Sequence, residues 1–355
     1  MSKAGNVKQS FDKKSISKIL IIQPRGLGDV VLSTVVANNL HVEFPGARID
    51  YLVHKPNQAA LEKIPFINDV ISYKRKEFKD GLKALVKVRK NRYDLVIDLY
   101  CNPRTAIDAF MSGAPWRAGR DLRWRGFVYN LKVPAETAQS LHQVQRHIRF
   151  LKTLGVNSDS TEVFFGLGED DIGFADTFFG ETFETGQSVV GISPGGNWPS
   201  RKCDPVKLAE IADAISDVYI AQLMLIWGPG ERDEVDEIMS RMKNAAVLAP
   251  PTDIRQMGAV ISRCSLLIAN NSGPMHISAA VGTPVLSLEG PVNPARQGPY
   301  GKAHGSVRLD ELDCIGCNLR VCPRNHECFL ELPVSRVMDA IASIIERNGI
   351  PLLKK

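Results

Sequence analysis

Asp29 closes the segment Gly26-Leu27-Gly28-Asp29, which follows an apolar run and opens the next helix. A carboxylate there, at the carboxyl end of a strand, can take a proton from an attacking hydroxyl. It can equally cap the helix. A second segment with chemical potential is Asn271-Ser272-Gly273-Pro274-Met275-His276. The apolar run 266–269 stops there, Pro274 suits a first helical turn, and Ser272 or Asn271 can cap it. A helix N-terminus at the end of a parallel strand presents backbone N–H groups and the positive end of a dipole, which is an anion site and points to a phosphate-bearing ligand. Arg201 and Lys202 follow a Pro-Gly-Gly loop, and Glu231 follows Trp227-Gly228-Pro229-Gly230. Arg201 and Lys202 are adjacent cations, and Glu231 is a first-turn acid that favours the helix dipole.

Two further patterns carry less. Gly26-x-Gly28 resembles a dinucleotide loop, with Asp50 as the ribose acid, but Val31 stands where the third glycine belongs. Cys314, Cys317, Cys322 and Cys328, with His326 nearby, are spaced x2, x4 and x5. That spacing permits tetrahedral zinc but lacks two separated CxxC pairs, so packed, reduced thiols are the competing reading.

The elements that must position these residues alternate. Strands are expected at 18–23, 47–53, 70–73 and 93–99, with helices at 30–40, 78–91 and 143–154. The pattern restarts with strands at 188–193, 222–227, 246–248, 266–269 and 284–288 and helices at 205–218, 231–242, 254–263 and 276–281. Such alternation predicts parallel sheets with helices on both faces. The chain therefore reads as α/β, with two Rossmann-like domains facing across a cleft. Residues 1–17 are a flexible basic N-terminus, 18–170 the first domain, 171–187 a linker and 188–332 the second domain. A last helix, 333–347, carries an apolar stripe of Val337, Ile341, Ile344 and Ile345. At 355 residues, 44% hydrophobic and 23% charged, the composition is that of an ordinary globular protein. No apolar run reaches the roughly 18 residues that a bilayer span needs.

Three segments resemble the ADP-heptose:lipopolysaccharide heptosyltransferases, glycosyltransferase family 9, over about residues 18–347. They are I-L-I-I-Q-P-R-G-L-G-D-V-V-L-S-T at 19–34, G-I-S-P-G-G-N-W-P-S-R-K-C-D-P at 191–205, and 271–301 with its S-G-P-M-H, G-T-P and G-P-Y-G. The resemblance implies a GT-B fold, with the acceptor on the first domain, the nucleotide sugar on the second, and the last helix returning to the first. It implies an inverting transfer without a metal or other cofactor. Asp29 matches the base, and Gly28 lies beside the acceptor. Arg201, Lys202, Glu231, Asn271, Ser272, Gly273, Pro274, Met275 and His276 match the donor site, with ADP-heptose as the donor. The chain departs from the family's pattern in two places: Arg201-Lys202-Cys203-Asp204 replaces Lys-Arg-Trp-Pro, and Asn271 replaces Asp.

Charge adds a partner. Residues 1–160 hold 27 Lys and Arg against 14 Asp and Glu, whereas the rest of the chain holds 17 against 25. The first half therefore faces something anionic, or carries a solvated basic helix. Arg104, Arg117, Arg120, Arg123 and Arg125, interleaved with Trp116 and Trp124, are suited to the phosphorylated glycolipid acceptor that the resemblance implies. Arg120 and Arg123 are the leading pair. No RNA-binding signature accompanies them, so no nucleic-acid partner is expected. The expected place is the cytoplasm, with peripheral contact at the inner face of the inner membrane. A nucleotide-sugar epimerase, which needs no acceptor, and a binding-only relative are the rival readings.

Overall fold

The computed structural model describes residues 13–122, 126–134 and 141–355. It divides into two compact units, residues 1–139 with 143–163, and residues 140–142 with 164–355.

The first unit is built on β1 (Lys18–Ile22), β2 (Arg48–His54), β3 (Asp69–Tyr73), β4 (Leu95–Asp98), β5 (Trp116–Asp121) and β6 (Leu131–Pro134). All pair in parallel in the order β3-β2-β1-β4-β5-β6. Ile19 to Ile22 are fully buried, as a strand covered on both faces requires. Helix α1 (Leu27–Glu43) is buried at every position from Val30 to Leu40, and its polar Ser33, Thr34 and Asn39 donate to backbone carbonyls of the same helix. Helix α2 (Phe78–Asn91) turns only Gly81, Ala84 and Val88 inward. Helix α3 (Pro103–Met111) starts in a capping box between Asn102 and Thr105. Helix α4 (Gln143–Thr153) packs on α1.

The second unit contains β7 (Ser188–Ser193), β8 (Ala221–Leu225), β9 (Val247–Leu248), β10 (Leu266–Asn270), β11 (Val285–Glu289) and β12 (Gly305–Arg308). Their order, β12-β11-β10-β7-β8-β9, is the first sheet's order read from the other edge. Around them lie α5 (Glu169–Thr182), α6 (Pro205–Val218), α7 (Arg232–Arg241), α8 (Ile254–Ser262), α9 (Gly273–Ala280), α10 (Pro294–Gln297), α11 (Glu327–Leu330) and α12 (Val334–Asn348). Both sheets thus place their first and fourth strands side by side at the point where the strand order reverses. Ligands of open α/β sheets bind outside the carboxyl ends there.

Residues 171–187 are not a linker over most of their length, because α5 occupies 169–182. The Asp171 carboxylate accepts from Gly168 N at 2.8 Å and from Arg255 Nε at 3.1 Å, and Ala175 and Phe183 are buried. The last helix packs within the second unit. Val337, Ile341 and Ile344 of α12 sit in one apolar cluster with Ile192, Leu208 and Ile268, which occupies the whole stripe. The described part of the arginine-bearing stretch after β4 contains α3, β5 and β6.

Asp50 is withdrawn as a ribose acid. It is the third residue of β2, fully buried, and accepts from Arg48 Nε at 2.9 Å and from Tyr93 Oη at 2.6 Å. Its position inside the strand and its two partners leave it nothing for a nucleotide at the sheet's end.

Candidate functional site

At the reversal point of the second sheet, the loops after β7 and β10 are tied together by one side chain. Asn270 is fully buried; its Nδ2 donates to Pro194 O at 2.5 Å, and its Oδ1 accepts from Cys203 N at 3.1 Å. Beside it, α9 begins. Ser272 occupies the cap position but makes no side-chain cap bond, and neither does Asn271. Among the described residues, Ser272 Oγ is buried without a hydrogen-bond partner, and so is Nδ1 of His276 one turn further on. Buried polar atoms are nearly always satisfied. Two such atoms at a helix N-terminus therefore mark a place built to be completed by an anion. Burial, reinforced by the neighbouring His142 and Arg201 charges, pushes the His276 pKa down to about 3. The imidazole is neutral at physiological pH and offers a hydrogen bond rather than a charge.

The cations behave differently from each other. Arg201 lies over the Trp198 ring, 4.2 Å from its centroid, within the short turn Pro199–Arg201. Lys202 Nζ instead pairs with Glu234 Oε2 at 2.5 Å, at the start of α7. Glu231 caps the loop after β8 by accepting from Gly228 N at 2.8 Å. Its carboxylate lies against Gly195, where a Cβ would displace both oxygens, so the glycine lets Glu231 sit between the loops after β7 and β8.

Two other expected donor residues work from behind. Met275 is wholly buried in the core. Asn271 Nδ2 donates to Glu289 Oε1 and Oε2 at 2.8 and 3.0 Å and to Gln297 O at 3.0 Å, so its amide nitrogen faces inward. Glu289 also accepts from Ser287 Oγ at 2.7 Å. Burial raises its carboxyl pKa to about 7, against the opposing hydrogen bonds from Asn271 and Ser287 and the charges of Arg201 and Arg308. Sequence reading missed Glu289 because its strand, V-L-S-L-E, reads only as a buried run. Gly273 and Pro274 form the first turn of α9, as expected.

The first unit's reversal point is chemically unlike this. Gly26, at φ 79°, turns the chain into α1, and a Cβ there would strike the Asp29 carboxylate. Asp29 stands half-buried in the first turn beside Gly28, accepting from Gln143 Nε2 of α4 at 3.0 Å. Next to this loop, among the carboxyl ends of β1, β2, β3 and β4, lies a cleft of about 400 Å³. Arg25, His54, Tyr73, Arg75, Lys76 and Arg104 line it. Burial and the Arg25 and Arg75 charges lower the His54 pKa. Arg104 is held by Asp108, at 3.3 Å, and over the Tyr73 ring.

Of the expected acceptor arginines among the described residues, Arg104 lines this cleft and Arg117 and Arg120 do not. Arg117 is spent on chain carbonyls, donating from Nε to Val128 O at 2.9 Å and from Nη1 to Ala114 O at 2.6 Å. Arg120 is half-buried on β5, its backbone N donating to Cys101 Sγ at 3.2 Å. Arg123, Trp124 and Arg125 lie outside the described residues. The signal for Arg75 and Lys76 was the basic stretch after β3, but only the sheet brings it beside Arg25.

The four clustered cysteines carry free thiols, and among the described residues no group of His, Cys, Asp or Glu is arranged to hold a metal. Burial and the neighbouring thiols Cys322, Cys314 and Cys317 push Cys328 up to about 11. Their loop braces the cradle: Ser200 Oγ donates to Leu319 O at 2.6 Å, one residue before Arg201.

Two doubly wound parallel units in one chain, each with its loops of interest at the sheet's carboxyl ends, define a GT-B-like α/β architecture. Solved structures share it. A glycosyl transferase family 9 structure from Veillonella parvula has a TM-score of 0.82 at 22% identity, covering 93% of this chain and 97% of that one. E. coli ADP-heptose lps heptosyltransferase II has a TM-score of 0.77 at 21% identity, covering 94% and 99%. E. coli heptosyltransferase WaaC with ADP has a TM-score of 0.72 at 18% identity, covering 92% and 99%. Among curated proteins, lipopolysaccharide heptosyltransferase 2 of Escherichia coli (strain K12) is 24% identical over 82% of this chain and 88% of its own length. Lipopolysaccharide heptosyltransferase 3 of Escherichia coli is 29% identical over 74% and 80%. The pattern of glycosyltransferase family 9 (heptosyltransferase) matches residues 82–327, and the chain belongs to that family. It is a glycosyltransferase of the kind that builds the lipopolysaccharide core.

Proposed function

We propose that the protein transfers heptose from ADP-heptose to a hydroxyl of an anionic lipopolysaccharide-core acceptor, with inversion at the anomeric carbon and without a metal. The observation that carries this reading is the uncapped N-terminus of α9 with its two unpartnered buried atoms, Ser272 Oγ and His276 Nδ1. A leaving diphosphate gathers negative charge as the C1–O bond breaks. Preorganised N–H groups, a hydroxyl and a guanidinium stabilise that charge best where water is excluded. Ser272, Gly273, His276 and Arg201 supply this set, and Glu231 is placed for the ribose. Asp29 takes the acceptor proton as its oxygen attacks C1, through a transition state with oxocarbenium character. The basic cleft of Arg25, Arg75, Lys76 and Arg104 receives the acceptor's phosphate and carboxylate groups. The relatives named for heptose transfer to lipopolysaccharide, and the structure of one with ADP, support this choice of donor and acceptor.

The test is turnover of ADP-heptose with and without a core acceptor, in the presence of EDTA, with the product's anomeric configuration read by NMR. Acceptor-dependent ADP release with inversion is expected. Turnover without acceptor points to an epimerase, and binding without turnover to a protein that only holds the donor. A thermal-shift series over ADP-, UDP-, GDP- and CDP-sugars checks the base, because the preferred ligand raises stability by mass action.

A further inference from the structure

The first unit carries an apolar surface that its own core does not use. Helix α2 turns Gly81, Ala84 and Val88 inward, yet Phe78, Leu82 and Val86, one every four residues, are 80%, 50% and 45% exposed. Helix α3 adds Ile107, Phe110 and Met111 at 54%, 56% and 49%. The two helices are neighbours. The guanidinium of Arg104 on α3 packs against Gly81 of α2, and that of Arg89 on α2 covers Gly113, just past the end of α3. Single exposed apolar residues are ordinary, whereas six large ones on neighbouring helices mark an interaction surface.

Charge decides what kind of partner fits. Helix α2 holds Lys79, Lys83, Lys87, Arg89 and Lys90 against a single acid, Asp80. At 100° per residue, Lys79, Lys83 and Lys90 form a row directly beside Phe78, Leu82 and Val86. Lys87 pairs with Asp69, whereas the other three lysines enter no ion pair among the described residues. An apolar row flanked by flexible ammonium groups is the pattern of a helix lying in a bilayer interface, where the stems bury and the charges reach the headgroups. Protein interfaces are instead depleted of lysine.

We propose that α2 and α3 form a docking face for an anionic lipid bilayer. The apolar row enters the headgroup–acyl boundary, and Lys79, Lys83 and Lys90 bind anionic headgroups. Phe78 also lines the basic cleft, so docking sets the cleft's mouth at the membrane surface. The inference concerns only this face and stands whether or not the donor and acceptor assignments above hold.

Flotation of the full chain with vesicles tests it. The vesicles are phosphatidylethanolamine–phosphatidylglycerol or pure phosphatidylcholine, both free of lipopolysaccharide. Binding to the anionic vesicles alone is expected, weakening as salt rises. With about fivefold in partition for each lysine at the surface, Lys79→Gln/Lys83→Gln/Lys90→Gln lowers binding about 100-fold. Leu82→Ser/Val86→Ser/Phe110→Ser lowers it at least tenfold. All six side chains are exposed, so the melting temperature stays near that of the wild type. Turnover on a deacylated, water-soluble acceptor stays unchanged, whereas turnover on a bilayer-embedded acceptor falls. Equal binding to both vesicle types, or wild-type binding by both variants, overturns the proposal. So does a concentration-dependent dimer, formed without lipid and lost in the apolar variant.

Discussion

The carboxyl ends of the two sheets share one strand order and almost nothing else. In the first unit the reversal point opens on a basic cleft with a half-buried acid, Asp29, at its side. In the second it is lined by buried, neutral polar atoms on an uncapped helix, with Arg201 stacked nearby and Lys202 already paired. The topology supplies two equivalent places, and the side chains make one open and basic and the other buried and largely uncharged. The difference is one of dielectric. Charges in an open cleft gather a ligand and are screened by salt, whereas dipoles in a buried cradle act at full strength on charge that develops there.

Removing the chemistry of the first place, while sparing its charge pattern, should give the largest effect. Asp29→Asn keeps the hydrogen-bonding shape beside Gln143 but cannot accept the proton. We expect kcat to fall about 10³-fold, within the usual range for a general base. Calorimetric affinity for ADP-heptose should be unchanged. A lost donor affinity with kcat preserved would mean that Asp29 belongs to the other half of the comparison.

Glu289 sharpens the second place through pH. Its folded pKa of about 7 lies above its ordinary 4.5. Below pH 4.5 the carboxyl is protonated in both the folded and unfolded states and has no effect. Between 4.5 and 7 the unfolded chain ionises first, so stability falls as pH rises, and the full cost is in place above 7. It amounts to at most about 3 kcal/mol. Glu289→Gln keeps an acceptor for Asn271 and has nothing to ionise. Calorimetric melting at pH 5 and pH 8.5 should therefore show a smaller loss in the variant than in the wild type. Equal losses would place the carboxylate outside the buried network. The next effect in size is Arg201→Ala, which removes a charge-assisted contact and should weaken ADP-heptose about 30-fold by calorimetry, leaving acceptor KM alone.

Much of this contrast was legible in the order of residues. The strand–Gly-loop–helix segments around Asp29 and Ser272 showed both helix N-termini, because periodicity and turn chemistry act locally. The common strand order was not legible, since no sequence repeat relates the units and topology rests on long-range pairing. Helix α5 was hidden by a polar, Phe-containing pattern whose burial comes from α8 packing on it. The basic residues were visible but not their use. Arg117, expected on the acceptor, satisfies backbone carbonyls, and Arg75 comes beside Arg25 and His54 only through the pairing of β2 with β3. Asn271 read as a departure in the donor loop; that its amide answers Glu289, 18 residues on, is invisible without the pairing of β10 with β11.

The smallest expected effect tests the open half of the comparison. Arg75 lines the basic cleft and is exposed, so its attraction for an acceptor phosphate is weakened by solvent and salt. Arg75→Ala should raise acceptor KM about fivefold at low ionic strength and by less than twofold at 0.5 M salt. The kcat and the donor KM should stay where they are. The salt dependence is the discriminating readout. A cleft that binds by charge loses its Arg75 contribution as the Debye length shrinks to a few ångströms. A contribution that survives high salt would instead mean that the bound acceptor shields this end of the first sheet from water, and that both reversal points work as closed sites.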